Sequence, residues 1–197
     1  MKIEHQNVFF ISDLHLGHKN IIKYDNRPFE DLDQMSQTIE SNWNKTVGVD
    51  AIVFFMGDLS LGKGIDLIKR LNGKKYAIMG NHDSFKSLQA TQAFERIYDY
   101  GTEIKVVDKD AQHGYTHIIM AHYPILVWNR HHHGSWHLHG HCHGTLMTNR
   151  PEYYKRKVMD VGCNVINYTP ISYQEVKKIM NTKTTEFIDH HTNNTNE

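Results

Sequence analysis

Five short blocks carry side chains able to hold a metal ion. They are Asp13 and His15 in "DLH", Asp58 in "GD", Asn81, His82 and Asp83 in "GNHD", His122 in "AHYP", and His141 and His143 in "GHCHG". Oxygen and nitrogen donors without thiolate suit Mn, Fe, Zn, Co or Ni rather than Ca. Residues two apart on an extended segment face the same way. Asp13 and His15 can therefore share an ion, and His141 and His143 can face one site. Asp58 lies midway in the set and could bridge two ions. Two ions about 3.5–4 Å apart form the clamp used for in-line attack on phosphate esters. Taken singly, each residue also fits plain turn chemistry, since Asp and Asn favour loops. The ordered set is what argues for a site.

The elements that must position these blocks are legible as apolar runs. "NVFFIS" (7–12), "AIVFFM" (51–56), "KKYAIM" (74–79), "EIKVVD" (103–108) and "YTHIIMA" (115–121) read as buried strands, with "KVMDVG" (157–162) a weaker one. Four blocks follow such runs and the fifth follows the short "WHLHG", so the chemistry collects at strand carboxyl ends, where α/β sheets place ligand sites. Helical spacing marks 31–47, with Asp31 as N-cap, then 64–73 and 84–97, and "SYQEVKKIM" with a capping box from Ser172 to Glu175. Strands alternating with helices predict an α/β domain over residues 1–180. The strand-rich stretch from about 97 to 172 predicts a second, mixed or antiparallel sheet packed on the first. The glycines before Asp58, Asn81 and His141 are expected to permit sharp exits from the strands.

In this order, "DLH", "GD", "GNHD", "H" and "GHCH" resemble the motifs of the calcineurin-like metallophosphoesterases, over residues 13–143, and the chain looks most like the small bacterial and phage members. The resemblance implies an α+β four-layer sandwich: two mixed β-sheets packed face to face, flanked by helices, with a dinuclear metal site at the strand ends. It implies one metal on Asp13, His15, Asp58 and His143, and a second on Asp58, Asn81, His122 and His141, with Asp58 bridging. Mn is the expected metal, with Fe, Zn, Co or Ni as alternatives. It implies catalytic roles for His82, as general acid to the leaving group, and for Asp83, which would orient His82; helix capping is the competing role for Asp83. The expected reaction is attack of a metal-bridging hydroxide on phosphate esters, foremost phosphodiesters of nucleotides or small nucleic acids. A phosphomonoesterase or protein phosphatase is the enzyme alternative, and a non-catalytic metal-binding module on the same fold is the non-enzyme one.

Composition sets the bounds. The 197 residues carry 22 Lys plus Arg and 22 Asp plus Glu, so no global charge draws the chain to a polyanion. Two cysteines, Cys142 and Cys163, build no disulfide framework, and with no signal-peptide pattern or membrane-length apolar run a cytoplasmic location is expected. Ten of the sixteen histidines fall between His113 and His143. A closed structural zinc site would want more thiolates. His18 either contacts substrate or begins a helix. Arg27 in "NRPF" either recognises phosphate or makes a salt bridge. Arg130 and the run His131–His133 either rim the site as a solvated loop or touch substrate. "RPEYYKRK" (150–157) reads as a solvated charge run, and 181–197 as a polar, partly disordered tail in which His190 and His191 are incidental.

Overall fold

In the computed structural model, which describes residues 1–4 and 6–188, the chain is an α/β protein with two mixed five-stranded sheets and helices. The first sheet has the order β10 (Ile171–Ser172), β2 (Val8–Ile11), β3 (Ile52–Met56), β4 (Lys74–Ile78), β5 (Phe94–Tyr98). Strands β2 to β5 run parallel and β10 antiparallel. The second sheet has the order β1 (Lys2–Ile3), β6 (Gly101–Val107), β7 (Tyr115–Ala121), β8 (Trp136–His139), β9 (Val158–Asp160). Only the β6–β7 pair in it is antiparallel.

The uninterrupted apolar strands are explained by burial on both faces. Phe10, Phe54, Met56 and Ile78 from the first sheet meet Ile104, Ile118, Met120 and Leu138 from the second in one core. The opposite face of the first sheet carries Phe9, Ile11, Val53 and Phe55. It packs on α2 (Leu32–Thr46) through Met35, Ile39 and Trp43, four residues apart on one helix face and fully buried. Each contributes roughly 1.5–3 kcal/mol by leaving water. Asp31 caps α2 by accepting from Gln34 N. The helix α5 (Tyr173–Asn181) starts with the expected Ser172–Glu175 capping box and adds Tyr173, Val176 and Met180 to the inter-sheet core.

Two expectations change. The helix read over 84–97 ends early: α3 is Phe85–Ala90, Gln92 takes a left-handed φ of 55°, and Phe94–Tyr98 joins the first sheet as its edge strand. The alternation of Phe94, Arg96 and Tyr98 against Glu95 and Ile97 was hidden inside an apparent helical spacing. The segment Gly62–Arg70 is 3-10 rather than α. On the outer face of the second sheet, Ile119 and Val158 pack against Ile125, Trp128, Tyr153 and Tyr154, from the 122–135 stretch and the 3-10 helix Tyr153–Lys155. The tail enters the fold through Thr184, whose N–H donates to Lys155 O, and Lys183, whose Nζ donates to Val158 O. His190 and His191 lie outside the described residues.

The two sheets join at one end. Ser12 N donates to Val161 O at 3.0 Å and Cys163 N to Ser12 O at 2.9 Å, so the end of β2 is bonded to the exit of β9. Gly140 N donates to His122 O at 3.0 Å, and His15 N to Asp58 O at 3.0 Å. The loops after β2, β3, β4, β7 and β8 thereby share one surface.

Candidate metal centre

All seven expected ligands meet on that surface. Asp13, His15, Asp58 and His122 are buried, and Asn81, His141 and His143 close the opening. On one side His15 Nε2 lies 3.3 Å from His143 Nε2, and His143 Nε2 lies 3.7 Å from Asp13 Oδ1. On the other, Asn81 Oδ1 lies 3.0 Å from His122 Nε2 and 3.1 Å from His141 Nδ1. Asp58 Oδ2 stands between the two groups, 3.7 Å from His15 Nε2 and 3.5 Å from His122 Nε2. Two sets of donor atoms, from Asp13, His15 and His143 and from Asp13, Asp58 and His122, are each close enough to hold an ion.

The backbone that brings them together is not extended. Asp13, His15, Asp58, His141 and His143 all have φ between 48° and 68°. The premise that side chains two apart share a face of a strand is thus replaced by left-handed turns, which cost non-glycine residues energy and gather at functional sites. Two motif glycines serve by absence of bulk rather than by turning. A Cβ on Gly80 would strike the Asp58 carboxylate, and one on Gly140 would strike Ser12 Oγ and crowd Asp13.

Hydrogen bonds fix the orientation of several donors. His122 Nδ1 donates to Met56 O at 2.9 Å and His143 Nδ1 to Asp25 Oδ2 at 2.6 Å, so each presents the Nε2 lone pair to the site. The Asp13 carboxylate accepts from His141 N at 3.1 and 3.0 Å and from the Ser12 hydroxyl. Without a cation the charges are poorly balanced. Burial pushes the Asp13 carboxyl up to about 7. Burial, then the neighbouring His143 and Arg27, holds His15 down to about 3. His141 is lowered by burial and by His122. At His143 burial opposes the cation, but the Asp25 hydrogen bond and the Asp13 charge outweigh it and raise its affinity for a proton. The lowered imidazoles of His15 and His141 and the buried Asp13 carboxylate belong to a donor set able to hold a divalent cation.

The remaining expected residues separate into three groups. His82 stands at the mouth, its side chain 47% exposed, with Nε2 4.0 Å from Asp58 Oδ2 and its backbone N donating to Asp58 Oδ1 at 2.9 Å. His18 is half-buried with its ring 5.9 Å from that of His15, and its carbonyl accepts from Ile21 N at the start of α1 (Ile21–Tyr24). Asp83 does not reach the His82 ring. Its carboxylate accepts from Gly80 N, Asp58 N and Leu59 N, pinning the "GNHD" turn to the "GD" turn. Arg27 is buried under the site rather than open to substrate. Its guanidinium donates to Asp13 O at 2.9 Å, Leu14 O at 2.8 Å and Asp25 Oδ2 at 2.9 Å. Arg130 lines a separate cavity with His117, His132 and Lys157, and no metal-binding candidate lines it. Tyr115 and Trp136 in its wall begin β7 and β8, so it opens at the other end of the strands from His122 and His141.

Sequence reading missed the supporting residues. Asp25 stands two residues before Arg27, and only its pairing with both His143 and Arg27 reveals its role. Asp160 accepts from Gly144 N at 2.9 Å and Gly162 N at 2.8 Å, and Asn164 Nδ2 donates to His143 O at 2.9 Å, fixing the loop after His143. Cys142 is half-buried, and burial pushes its thiol up to about 11, unsuited to nucleophilic attack. Trp128 and Trp136 are buried, and Tyr123 packs on His141 with ring centroids 4.5 Å apart.

Fold and site define a two-sheet α/β protein with an Asp/His cluster suited to cations at its strand ends. The chain belongs to the family of "Uncharacterized protein MJ1445" of Methanocaldococcus jannaschii, with which it is 34% identical over 181 residues, covering 89% of this chain and 92% of that protein. It is also similar to "Gene 66 protein" of Mycobacterium phage L5, 26% identical over 180 residues, 79% of this chain and 86% of the relative. The crystal structure of "the Protein of Unknown Function AQ665 from Aquifex aeolicus" shares the fold, with a TM-score of 0.66 at 22% identity over 87% of this chain and 98% of that one. No protein-family model matches the chain. Among the described residues no helix is long and apolar enough to cross a membrane.

Proposed function

We propose that this chain is a calcineurin-like metallophosphoesterase that hydrolyses phosphodiesters of nucleotides or small nucleic acids with two divalent cations, Mn foremost and Fe, Zn, Co or Ni by the same donor preference. The observation that carries the reading is the placement of Asp58 Oδ2 between an Asp13–His15–His143 group and an Asn81–His122–His141 group. Asp13, His15, Asp58 and His143 would hold one cation, and Asp58, Asn81, His122 and His141 the other. Bound cations would supply a hydroxide near neutral pH and neutralise phosphate charge.

The chain's own residues supply the rest. Buried carboxylates and oriented imidazoles are preorganised, so little reorganisation accompanies the reaction. The His82 backbone is anchored to Asp58 while its ring stays half-exposed at the mouth. Protonated at Nε2, it donates that proton to the leaving oxygen as the phosphorus–oxygen bond breaks. Asp83 keeps the two turns registered so that His82 and Asp58 stay adjacent.

Hydrolysis of p-nitrophenyl phosphate, bis(p-nitrophenyl) phosphate and cyclic and linear nucleotides, with Mn, Fe, Zn, Co or Ni added in turn or removed by chelator, tests the proposal. Diester cleavage that needs Mn and disappears in Asp58→Asn is expected. Faster cleavage of monoesters would move the assignment to a phosphomonoesterase. No cleavage with any of the five metals would leave a non-catalytic metal-binding module.

A further inference from the structure

Two aromatic rings beside the candidate metal centre stay largely in solvent. Tyr24 is 71% exposed and Tyr123 is 51% exposed. Each ring belongs to a different side of the donor cluster. Tyr123 stands edge-on to His141 and His122, with ring centroids 4.5 and 5.1 Å apart. Tyr24 stands edge-on to His18 at 6.1 Å, and the His18 ring lies 5.9 Å from that of His15. Tyr123 therefore adjoins the Asn81–His122–His141 group, and Tyr24 adjoins the Asp13–His15–His143 group. Asp58 Oδ2 stands between those two groups.

A tyrosine ring is a rigid, flat surface that loses little conformational freedom when a second ring settles on it. Rings exposed to this extent keep area for such a partner. The arrangement is thus a cation site with an open aromatic surface on each side.

We propose that Tyr24 and Tyr123 are base-stacking platforms flanking the scissile phosphate, and that the substrate is an internucleotide linkage of single-stranded nucleic acid with a base on each side. This rests on the phosphoesterase reading above and narrows its substrate. Every base has a π-face, so stacking holds a strand without reading its sequence. Stacking also needs no charge. That agrees with the balance of 22 Lys plus Arg against 22 Asp plus Glu, which gives no general attraction for a long polyanion. A duplex keeps its base faces inside the stack, out of reach of both rings.

The test compares the dinucleotide dTpT with two counterparts, one lacking the 5′ base and one lacking the 3′ base. The scissile phosphodiester is the same in all three. In the wild type, loss of either base should lower kcat/KM about five- to 150-fold, the scale of one base–aromatic stack. Tyr24→Ala should erase the effect of one base and Tyr123→Ala the effect of the other. Tyr24→Phe and Tyr123→Phe should keep both effects. A ring that merely supports His18 or His141 would, on removal, slow all three substrates alike and leave both base effects in place. That result in either alanine variant overturns the proposal, as do equal wild-type rates for the three substrates. Cleavage of bis(p-nitrophenyl) phosphate without cleavage of dTpT also overturns it. Should no phosphate ester be cleaved with any of the five metals, the phosphoesterase reading fails separately. Fluorescence anisotropy of a labelled oligothymidylate then decides the platforms: about fivefold or greater weakening in both alanine variants supports them, and unchanged affinity overturns them.

Discussion

Replacing Asp25 by Asn isolates the contribution of a residue that touches no cation in this arrangement. Asp25 Oδ2 accepts from His143 Nδ1 at 2.6 Å and from Arg27 Nε and Nη2 at 3.1 and 2.9 Å. Burial opposes its ionisation, but the His143 and Arg27 interactions prevail and hold its carboxyl below the usual carboxylate range. An Asn offers one acceptor oxygen and an NH2 group that faces donors in the other orientation. All three bonds converge on Oδ2, so an Asn keeps them in only one orientation and without charge, and His143 no longer has a charged partner that fixes its tautomer. Such supporting carboxylates are worth about 10–100-fold in metal affinity, or roughly 1.4–2.7 kcal/mol. Calorimetric titration of Mn into wild type and Asp25→Asn should show that loss, with unchanged far-UV circular dichroism. Mn affinity within about twofold of wild type in a folded variant would refute the reasoning.

Other outcomes follow from the same geometry. Gly80→Ala places a Cβ 2.5 Å from Asp58 N; it should cost about 1–3 kcal/mol in urea unfolding and weaken Mn binding, and wild-type values for both would contradict the close approach. His82→Asn should keep the bound metal but lower turnover of diesters with poor leaving groups by about 10²–10⁴-fold, whereas an undiminished rate would remove its role as acid. The buried His137 donates from Nδ1 to Ile119 O at 3.1 Å and accepts from Ile125 N at 3.0 Å, and burial holds it down to about 3 against an ordinary 6.5. The unfolded chain therefore takes up that proton first, so this group's stabilisation is complete above pH 6.5 and falls by up to about 1.4 kcal/mol per pH unit between 6.5 and 3. Denaturant midpoints between pH 6 and 4 should fall less steeply in His137→Gln, and equal slopes would count against a neutral buried imidazole.

The sequence was most readable where local pattern and tertiary demand agree. Most apolar runs became strands because both their faces are buried, the 103–108 run burying only Ile104 and Val106 fully, and the seven candidate ligands followed the strands to one surface. Less readable were features that depend on distant partners. Arg27 leaves phosphate recognition and a salt bridge open, and the structure gives the salt bridge, to Asp25, with the carbonyls of Asp13 and Leu14 occupying the rest of the fork. Asp83 reads as the partner of its neighbour His82 but bonds backbone amides 24 and 25 residues away. Arg130 lies eight residues past the candidate ligand His122, yet the 122–135 stretch carries it to the opposite end of the sheet. The left-handed turns at Asp13, His15, Asp58, His141 and His143 left no signal beyond residue types that tolerate them. Asp25 and Arg156, the latter buried and stacked over Trp128 within the expected charge run, show the same gap: a lone charge in sequence does not reveal whether it is buried, or against what.

The central claim is that seven side chains from five loops hold two cations bridged by Asp58. A crystal structure of the Mn-loaded protein, with anomalous differences collected at the Mn edge, tests it most directly. Two anomalous peaks about 3.5–4 Å apart, one beside His15 and His143 and one beside His122 and His141, with the Asp58 carboxylate between them, are predicted. A single peak, or peaks away from these residues, would contradict it.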